Sequence, residues 1–96
     1  MYGLIGKMMA QPGQRDALLD ILTAQVGPMP GCLSYVIAKD PQDANAIWIT
    51  EVWEDTASHQ ASLGLPQVKA AIHQAMPLIA GFDHRIETDP VAGIGL

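Results

Sequence analysis

The sequence has little charge and almost no cysteine, and each shortage excludes a class of protein. Of its 96 residues only 16% are charged, with 5 basic and 10 acidic side chains. The basic residues are scattered along the chain, so the sequence lacks the positive footprint that nucleic acid or an anionic membrane surface would need. Cys32 is the single cysteine, which excludes an internal disulfide and fits a reducing compartment.

Long apolar runs and a leader segment are also missing. No stretch approaches the roughly 20 apolar residues that a membrane-spanning helix needs. Residues 1–30 hold no basic segment followed by an apolar run, so we expect no signal peptide and a cytoplasmic protein. Hydrophobic residues make up 49% of the chain, which favours one folded domain over residues 1–96. So small a domain buries only about 60–65% of its unfolded surface, and we therefore expect a homodimer.

The first half of the chain predicts three strands and a helix. Tyr2–Met9 is an apolar strand that ends at a Pro-Gly turn. An amphipathic helix follows from Gln14, because four apolar residues recur at helical spacing: Leu18, Ile21, Leu22 and Val26. Gly27–Gly31 ends this helix. Cys32–Lys39 and Ala46–Trp53 are rich in β-forming residues, and the polar segment between them suits a hairpin.

The second half predicts two helices and a last strand. Asp55 or Thr56 caps a short helix over Ala57–Leu63, and Gly64 and Pro66 separate it from the next helix. That helix carries the clearest apolar stripe of the chain: Val68, Ala71, Ile72, Ala75, Met76 and Ile79. Pro77 predicts that it kinks or ends near Met76.

Phe82–Thr88 alternates and is predicted as the last strand. Phe82, His84 and Ile86 are expected on one face, with the intervening charged residues on the other. Residues 90–96 form a tail that contains glycine. The resulting order, β-α-β-β-α-β, indicates an α+β fold of the ferredoxin-like type, with the helices on one face of an antiparallel sheet. A second copy is then the natural cover for the other face.

Four short segments resemble the antibiotic biosynthesis monooxygenase family, which includes quinol monooxygenases and autoinducer-degrading proteins. They are GQRDAL at 13–18, PGCLSY at 30–35, EVWED at 51–55 and MPL at 76–78. The resemblance covers residues 2–89 and implies a dimeric α/β barrel. It also implies oxygenation of a quinol, an anthrone or a related electron-rich aromatic with O₂, without a metal, haem or flavin cofactor.

Fold alone does not decide the function, and two alternatives stay open. Some relatives isomerise small sugar phosphates, which makes a small-molecule isomerase the first alternative. Others degrade haem or have no assigned activity, which makes a non-catalytic dimer that binds haem or another ligand the second. No H-x-E, H-x-x-x-H or C-x-x-C spacing occurs, so no metal site is predicted.

The candidate catalytic residues are His59, Trp53 and His73. Oxygenation without a cofactor needs a base, and an unperturbed imidazole titrates near neutral pH, so His59 and His73 are the candidate bases. Many family members carry a histidine nine residues after the strand-ending tryptophan. Here that position is Ser62, and His59 stands nearby instead. Trp53 is a candidate for stacking an aromatic substrate or for donating its indole N–H to an oxyanion.

The candidate substrate-binding residues combine two polar side chains with an apolar wall: Tyr35, Glu51, Leu63, Ile72 and Met76. Glu51 shares a strand face with Trp53. On a helix-covered face it would be a buried carboxylate with a raised pKa and a candidate base, whereas on a dimer face it would pair across the interface. The expected ligand is a small apolar or aromatic molecule together with O₂. For His84, a structural role is the preferred interpretation.

Overall fold

The computed structural model describes residues 1–96 as a four-stranded antiparallel sheet with its helices on one face. Its elements in chain order are β1 (Tyr2–Ala10), α1 (Arg15–Ala24), β2 (Cys32–Lys39), β3 (Ala46–Trp53), α2 (Thr56–Ser62), α3 (Pro66–Ala75), a 3-10 turn (Met76–Leu78) and β4 (Ile79–Thr88). The strands lie in the order β2-β3-β1-β4, which confirms the predicted ferredoxin-like arrangement. None of the helices is long and apolar enough to cross a membrane.

The helix boundaries follow local capping chemistry. The Asp55 side chain accepts a hydrogen bond from the Ser58 backbone N–H at 2.7 Å, which satisfies one free donor at the start of α2. Pro66 lies in the first turn of α3, where its missing N–H costs nothing. Pro77 cannot continue an α-helix, and α3 ends at Ala75 in a 3-10 turn, as predicted.

The core lies between the sheet and the helices. Its larger cluster joins α1, α3 and the two central strands: Met8, Ala10, Leu18, Ile47, Ile49 and Ala75. A smaller cluster near the start of β1 contains Tyr2, Leu4 and Trp53. Leu18, Ile47 and Trp53 are the largest side chains that are fully buried. Burial of these side chains fixes the register, because a shift by one residue would turn them to the other side of the sheet.

The two faces of the sheet can each be traced by one row of paired residues. We call the side under the helices the covered face; its row runs through Tyr35, Glu51 and Leu4. We call the other side the open face; its row runs across all four strands through Val36, Thr50, Ile5 and Ile86. No element of this chain packs over the open face, and Val36 and Ile86 are each about half exposed there.

Three details of the sequence prediction were wrong. Ile79, predicted at the end of the helical stripe, is the first residue of β4, so the last strand begins before Phe82. Strand β4 contains an irregularity, since Lys7 pairs with His84 whereas Met8 pairs with Phe82. The extra residue reverses the alternation, so Phe82 lies on the covered face while His84 and Ile86 lie on the open face. In addition, α1 ends at Ala24, so Val26 lies beyond the helix, and its side chain is exposed.

Candidate functional site

A cavity of about 350 Å³ lies between the covered face and the helices. Most of its wall is apolar and comes from β1, α1, β3 and α3: Leu4, Met8, Leu22, Ile49, Val68 and Ile72. Gly6 lines the cavity between Leu4 and Met8, at a position where a side chain would point under the helices. A Cβ atom built there meets only the His84 carbonyl oxygen, at 3.9 Å. The missing side chain therefore leaves room for the cavity.

One polar cluster interrupts this apolar wall. Glu51 extends from β3, and its Oε1 accepts a hydrogen bond from the Trp53 indole N–H at 3.1 Å. His59 Nε2, from α2, lies 3.9 Å from the same oxygen. The side chains of Glu51 and His59 are only 12% and 8% exposed. The fold thus brings an ionisable pair into an environment with little water, which is typical of catalytic or ligand-binding sites.

Aromatic rings hold the imidazole of His59 in place. The Tyr2 ring lies 5.3 Å from it at an angle of 39°, and the Trp53 ring lies 5.5 Å away in an edge-on arrangement. His59 Nδ1 is buried and has no hydrogen-bond partner. A buried polar atom without a partner is rare in folded proteins and needs an explanation.

Burial dominates the protonation of this cluster. Burial raises the pKa of Glu51, although the Trp53 hydrogen bond and the charges of His59 and Arg85 partly oppose it. Tyr35 faces Glu51 from β2, and burial together with the Glu51 charge raises its pKa to about 12. Glu51 lies on the covered face, so the condition under which it is a candidate base is met.

A close contact between β2 and α2 positions His59. Gly31 precedes β2 with a φ of +79°, and its carbonyl oxygen accepts the Glu54 backbone N–H at 2.8 Å. A Cβ atom at Gly31 would overlap the Ser58 side chain, which is the residue before His59. Only glycine meets both requirements, since it tolerates a positive φ and adds no side chain. The PGC segment therefore sets how closely α2 approaches the sheet.

Exposed apolar side chains surround the mouth of the cavity. Leu63, Ile72, Met76 and Phe82 all line it, and each is at least 43% exposed. Arg85 is the one lysine or arginine in the wall, and its guanidinium lies 3.5 Å from Glu87. Arg15 instead donates to the backbone carbonyl of Asp43 at 2.8 Å, in the β2–β3 hairpin, and lies outside the cavity.

The fold brings together almost all of the residues predicted for the site. Those lining the cavity are Tyr35, Glu51, Trp53, His59, Leu63, Ile72 and Met76. His73 does not join them, because its position on α3 leaves it exposed and outside the cavity wall. The catalytic and binding roles of all these residues stay predictions. His84 stacks on Trp48, with the ring centroids 5.9 Å apart, so its imidazole lies on the open face.

Several residues of the cavity were not predicted for the site, and Gly6 and Arg85 are the two that differ most from the apolar wall. Gly6 had a usable signal, because a glycine alternates with Leu4 and Met8 at the inward positions of a central strand. Arg85 had none, because the irregularity in β4 that turns it toward the cavity leaves no mark in the residue types. No three His, Cys, Asp or Glu side chains among residues 1–96 lie together as a metal-binding group.

Comparison with known proteins agrees with this arrangement. A sequence model of the antibiotic biosynthesis monooxygenase family matches residues 1–74. A Chloroflexus aurantiacus protein provisionally named an antibiotic biosynthesis monooxygenase shares 62% identity, with a TM-score of 0.94 over 98% of this chain and 96% of that one.

Two more distant structures share the fold. A Pseudomonas aeruginosa protein has 24% identity and a TM-score of 0.84, over 95% of this chain and 94% of its own. A Mycobacterium tuberculosis protein has 21% identity and a TM-score of 0.81, over 97% of each chain. No curated protein sequence matches this chain at a significant level.

Proposed function

Since this chain belongs to the antibiotic biosynthesis monooxygenase family, we propose that it oxidises a quinol, an anthrone or a related electron-rich aromatic with O₂, without a bound cofactor. The observation that carries the proposal is the cavity of about 350 Å³, whose apolar wall holds one buried ionisable pair, Glu51 and His59. Ligand pockets combine a mainly apolar lining with a few convergent polar groups in this way.

The site has the parts that the proposed chemistry requires. A base at the cluster removes a proton from the substrate and leaves an electron-rich anion in a cavity with little water. This anion reduces O₂. With an anthrone, one oxygen atom becomes the new ring carbonyl and the other leaves as water together with the two methylene hydrogens. The substrate supplies all four electrons, so no further reductant is needed.

The charges around the cavity favour this chemistry over the isomerase alternative. A phosphorylated substrate is usually held by several cations or by a bidentate arginine. Arg85 is alone at the mouth and lies close to Glu87, whereas Arg15 is bonded to the hairpin and Lys39 lies near Asp16 on the surface. The binding alternative, with haem or another ligand but without turnover, is left to the experiment.

We test the function by measuring O₂ consumption with purified, chelator-treated protein and a panel of quinols and anthrones. The wild type is expected to consume O₂ with at least one class. Gly6→Val fills the cavity from the sheet side, and we expect it to lower the rate about a hundredfold, because small displacements of a bound substrate are costly. Gly81→Val is the matched control, since Gly81 has open space at its Cβ position and lies outside the cavity.

One result would count against an oxygenase, and another would count against this cavity as its site. Absence of uptake with the whole panel, together with tight binding of haem, would favour the binding alternative. Equal uptake by the wild type and Gly6→Val, with the fold of the variant intact, would place the reaction outside this cavity.

We also propose that two copies of the chain pack through their open faces. The apolar row of Val36, Ile5 and Ile86 has no cover within one chain. The charges beside it are already paired, because Lys7 Nζ lies 3.4 Å from Asp83 and 3.9 Å from Asp40. Charges that already have partners cost less to bury than unpaired charges would. A cytoplasmic location stays a prediction.

A further inference from the structure

The proton acceptor of the site can be identified from the two oxygens of Glu51. Oε1 accepts the Trp53 indole N–H at 3.1 Å and also lies nearest to His59 Nε2. Oε2 accepts no hydrogen bond from the protein. Only one fully buried side-chain nitrogen or oxygen lacks a hydrogen-bond partner, and it is His59 Nδ1. Oε2 also lacks a partner, so it is not fully buried and keeps some accessible surface. Because Glu51 lines the cavity, a bound molecule can reach the free lone pairs of Oε2.

His59 lacks the support that a histidine base needs. When an imidazole takes a proton, both of its nitrogens become donors, and catalytic histidines usually have an acceptor for the second N–H. Here Nδ1 is sealed in the protein and no acceptor faces it. A buried N–H without a partner carries the full cost of desolvation. The geometry therefore favours the tautomer whose proton is on Nε2, the nitrogen that lies 3.9 Å from Glu51 Oε1.

We propose that Glu51 takes the substrate proton on its Oε2, and that Trp53 and His59 are positioning residues that hold this carboxylate in place. This inference rests on the proposed function for the identity of the substrate, an acidic phenol or an activated methylene. The proton moves from the substrate O–H or C–H to Oε2, while the electron pair stays on the substrate. The same proton is returned when water leaves.

The surroundings of Glu51 suit this role. Burial raises its pKa, which brings the proton affinity of the carboxylate closer to that of an acidic phenol. Four titratable groups face it: Tyr35 and Cys32 from β2, His59 from α2 and Arg85 from β4. The Arg85 charge favours the charged form of Glu51, with a smaller effect than the Trp53 hydrogen bond.

The first test is the ionisation of a bound chromophoric phenol under anaerobic conditions. The probe is a nitronaphthol, whose phenolate absorbs at longer wavelength than the neutral form. We expect the wild type to bind it as the phenolate at a pH where the free compound is largely neutral. Glu51→Gln should bind the neutral form. Glu54→Gln is the matched control, because it makes the same change at an exposed carboxylate and should behave as the wild type.

His59→Gln distinguishes the two candidate bases. We expect it to keep the phenolate, because Glu51 with its free Oε2 is unchanged and the Trp53 indole still donates to Oε1. Phenolate that persists in Glu51→Gln and disappears in His59→Gln would overturn the proposal. The tautomer of His59 can be measured in the wild type by long-range ¹H–¹⁵N NMR, and a proton on Nδ1 would also overturn it.

Oxygen uptake separates this inference from the proposed function. Glu51→Gln should lower the rate with the best substrate of the panel by about 10²–10⁴-fold, the usual contribution of a general base. Uptake that is unchanged in Glu51→Gln would refute the base assignment and leave the oxygenase. Phenolate formation that depends on Glu51, without uptake from any substrate, would support the base and refute the oxygenase.

Discussion

Strand β3 carries two tryptophans, and each donates a hydrogen bond to a carboxylate, one on each face of the sheet. On the covered face the Trp53 indole donates to Glu51 at 3.1 Å, and on the open face the Trp48 indole donates to Asp40 at 2.9 Å. The hydrogen bonds are alike, but the pKa of Glu51 is raised whereas that of Asp40 is lowered.

The difference comes from what else surrounds each carboxylate. Burial outweighs the single hydrogen bond at Glu51. Asp40 also accepts the Gln42 backbone N–H at 2.8 Å, and Lys7 lies nearby, so its charged form is well supported. Glu51 on β3 is thus a poorly supported carboxylate at the cavity, whereas Asp40 in the β2–β3 loop is a well supported one at the open face. The ionised form of Glu51 is thus disfavoured by burial at the covered face, whereas Asp40 on the open face stays ionised beside its partners.

The largest expected effect comes from adding a charge to the open face. Val36→Asp should convert the proposed dimer to a monomer, because an unpaired carboxylate in the proposed interface would be costly to desolvate. Sedimentation velocity measures the change in mass. Met76→Asp is the control, since Met76 is exposed at the cavity mouth on the covered face. This variant should sediment with the same mass as the wild type. A wild-type protein that is monomeric at micromolar concentration would refute the proposed dimer.

Removing each indole N–H should affect the two faces unequally. Trp53→Phe leaves space around a side chain that is 1% exposed and also deprives the buried Glu51 of its donor. We expect it to lower the free energy of unfolding by about 2–4 kcal/mol. Trp48→Phe should lower it less, since Asp40 keeps its other partners. Urea denaturation measures both, and equal losses would contradict the comparison.

The approach of α2 to the covered face should be sensitive to one methyl group. Gly31→Ala should lose about 1–3 kcal/mol more stability than Gly13→Ala, because its methyl overlaps Ser58. The two positions share a positive φ, but nothing lies within 4 Å of a Cβ at Gly13. Thermal unfolding gives the difference. Adding Ser58→Gly to Gly31→Ala should recover part of the lost stability. If no stability is recovered, the loss comes from the positive φ of the backbone and not from the contact with Ser58.

The smallest expected effect is a difference in pH dependence. The pKa of Glu51 in the folded protein is raised above its ordinary 4.5, so between these two pKa values the folded state binds more protons than the unfolded state. The stability therefore falls as pH rises from 4.5 through the pKa of folded Glu51. Asp40 acts oppositely: its contribution is present above its ordinary 3.8 and is lost as pH falls through the lowered folded value.

The wild type should lose stability as pH rises through the pKa of Glu51, and Glu51→Gln should not show this loss. The wild type should also lose stability as pH falls through the pKa of Asp40, and Asp40→Asn should not show that loss. Urea denaturation of each variant and the wild type between about pH 3 and pH 8 measures both slopes. The same sign of change in the two variants would show that the two carboxylates are not distinguished by their faces.

The amino-acid sequence by itself determined the order of elements and most of the candidate site. Apolar spacing predicted the helix that buries Leu18, and Asp55, Pro66 and Pro77 marked where helices begin and end. These features are local, because side-chain period and capping depend on neighbours a few residues away.

Only the tertiary structure decided which candidates meet at the cavity. His59 and His73 look equivalent in the sequence, yet the rotation of two short helices buries one and exposes the other. The sequence also left open which face Glu51 occupies, and the irregularity in β4 turned Arg85 toward the cavity against the simple alternation. Such outcomes depend on how distant elements pack, since the pKa of Glu51 is set by burial and by groups from three different elements.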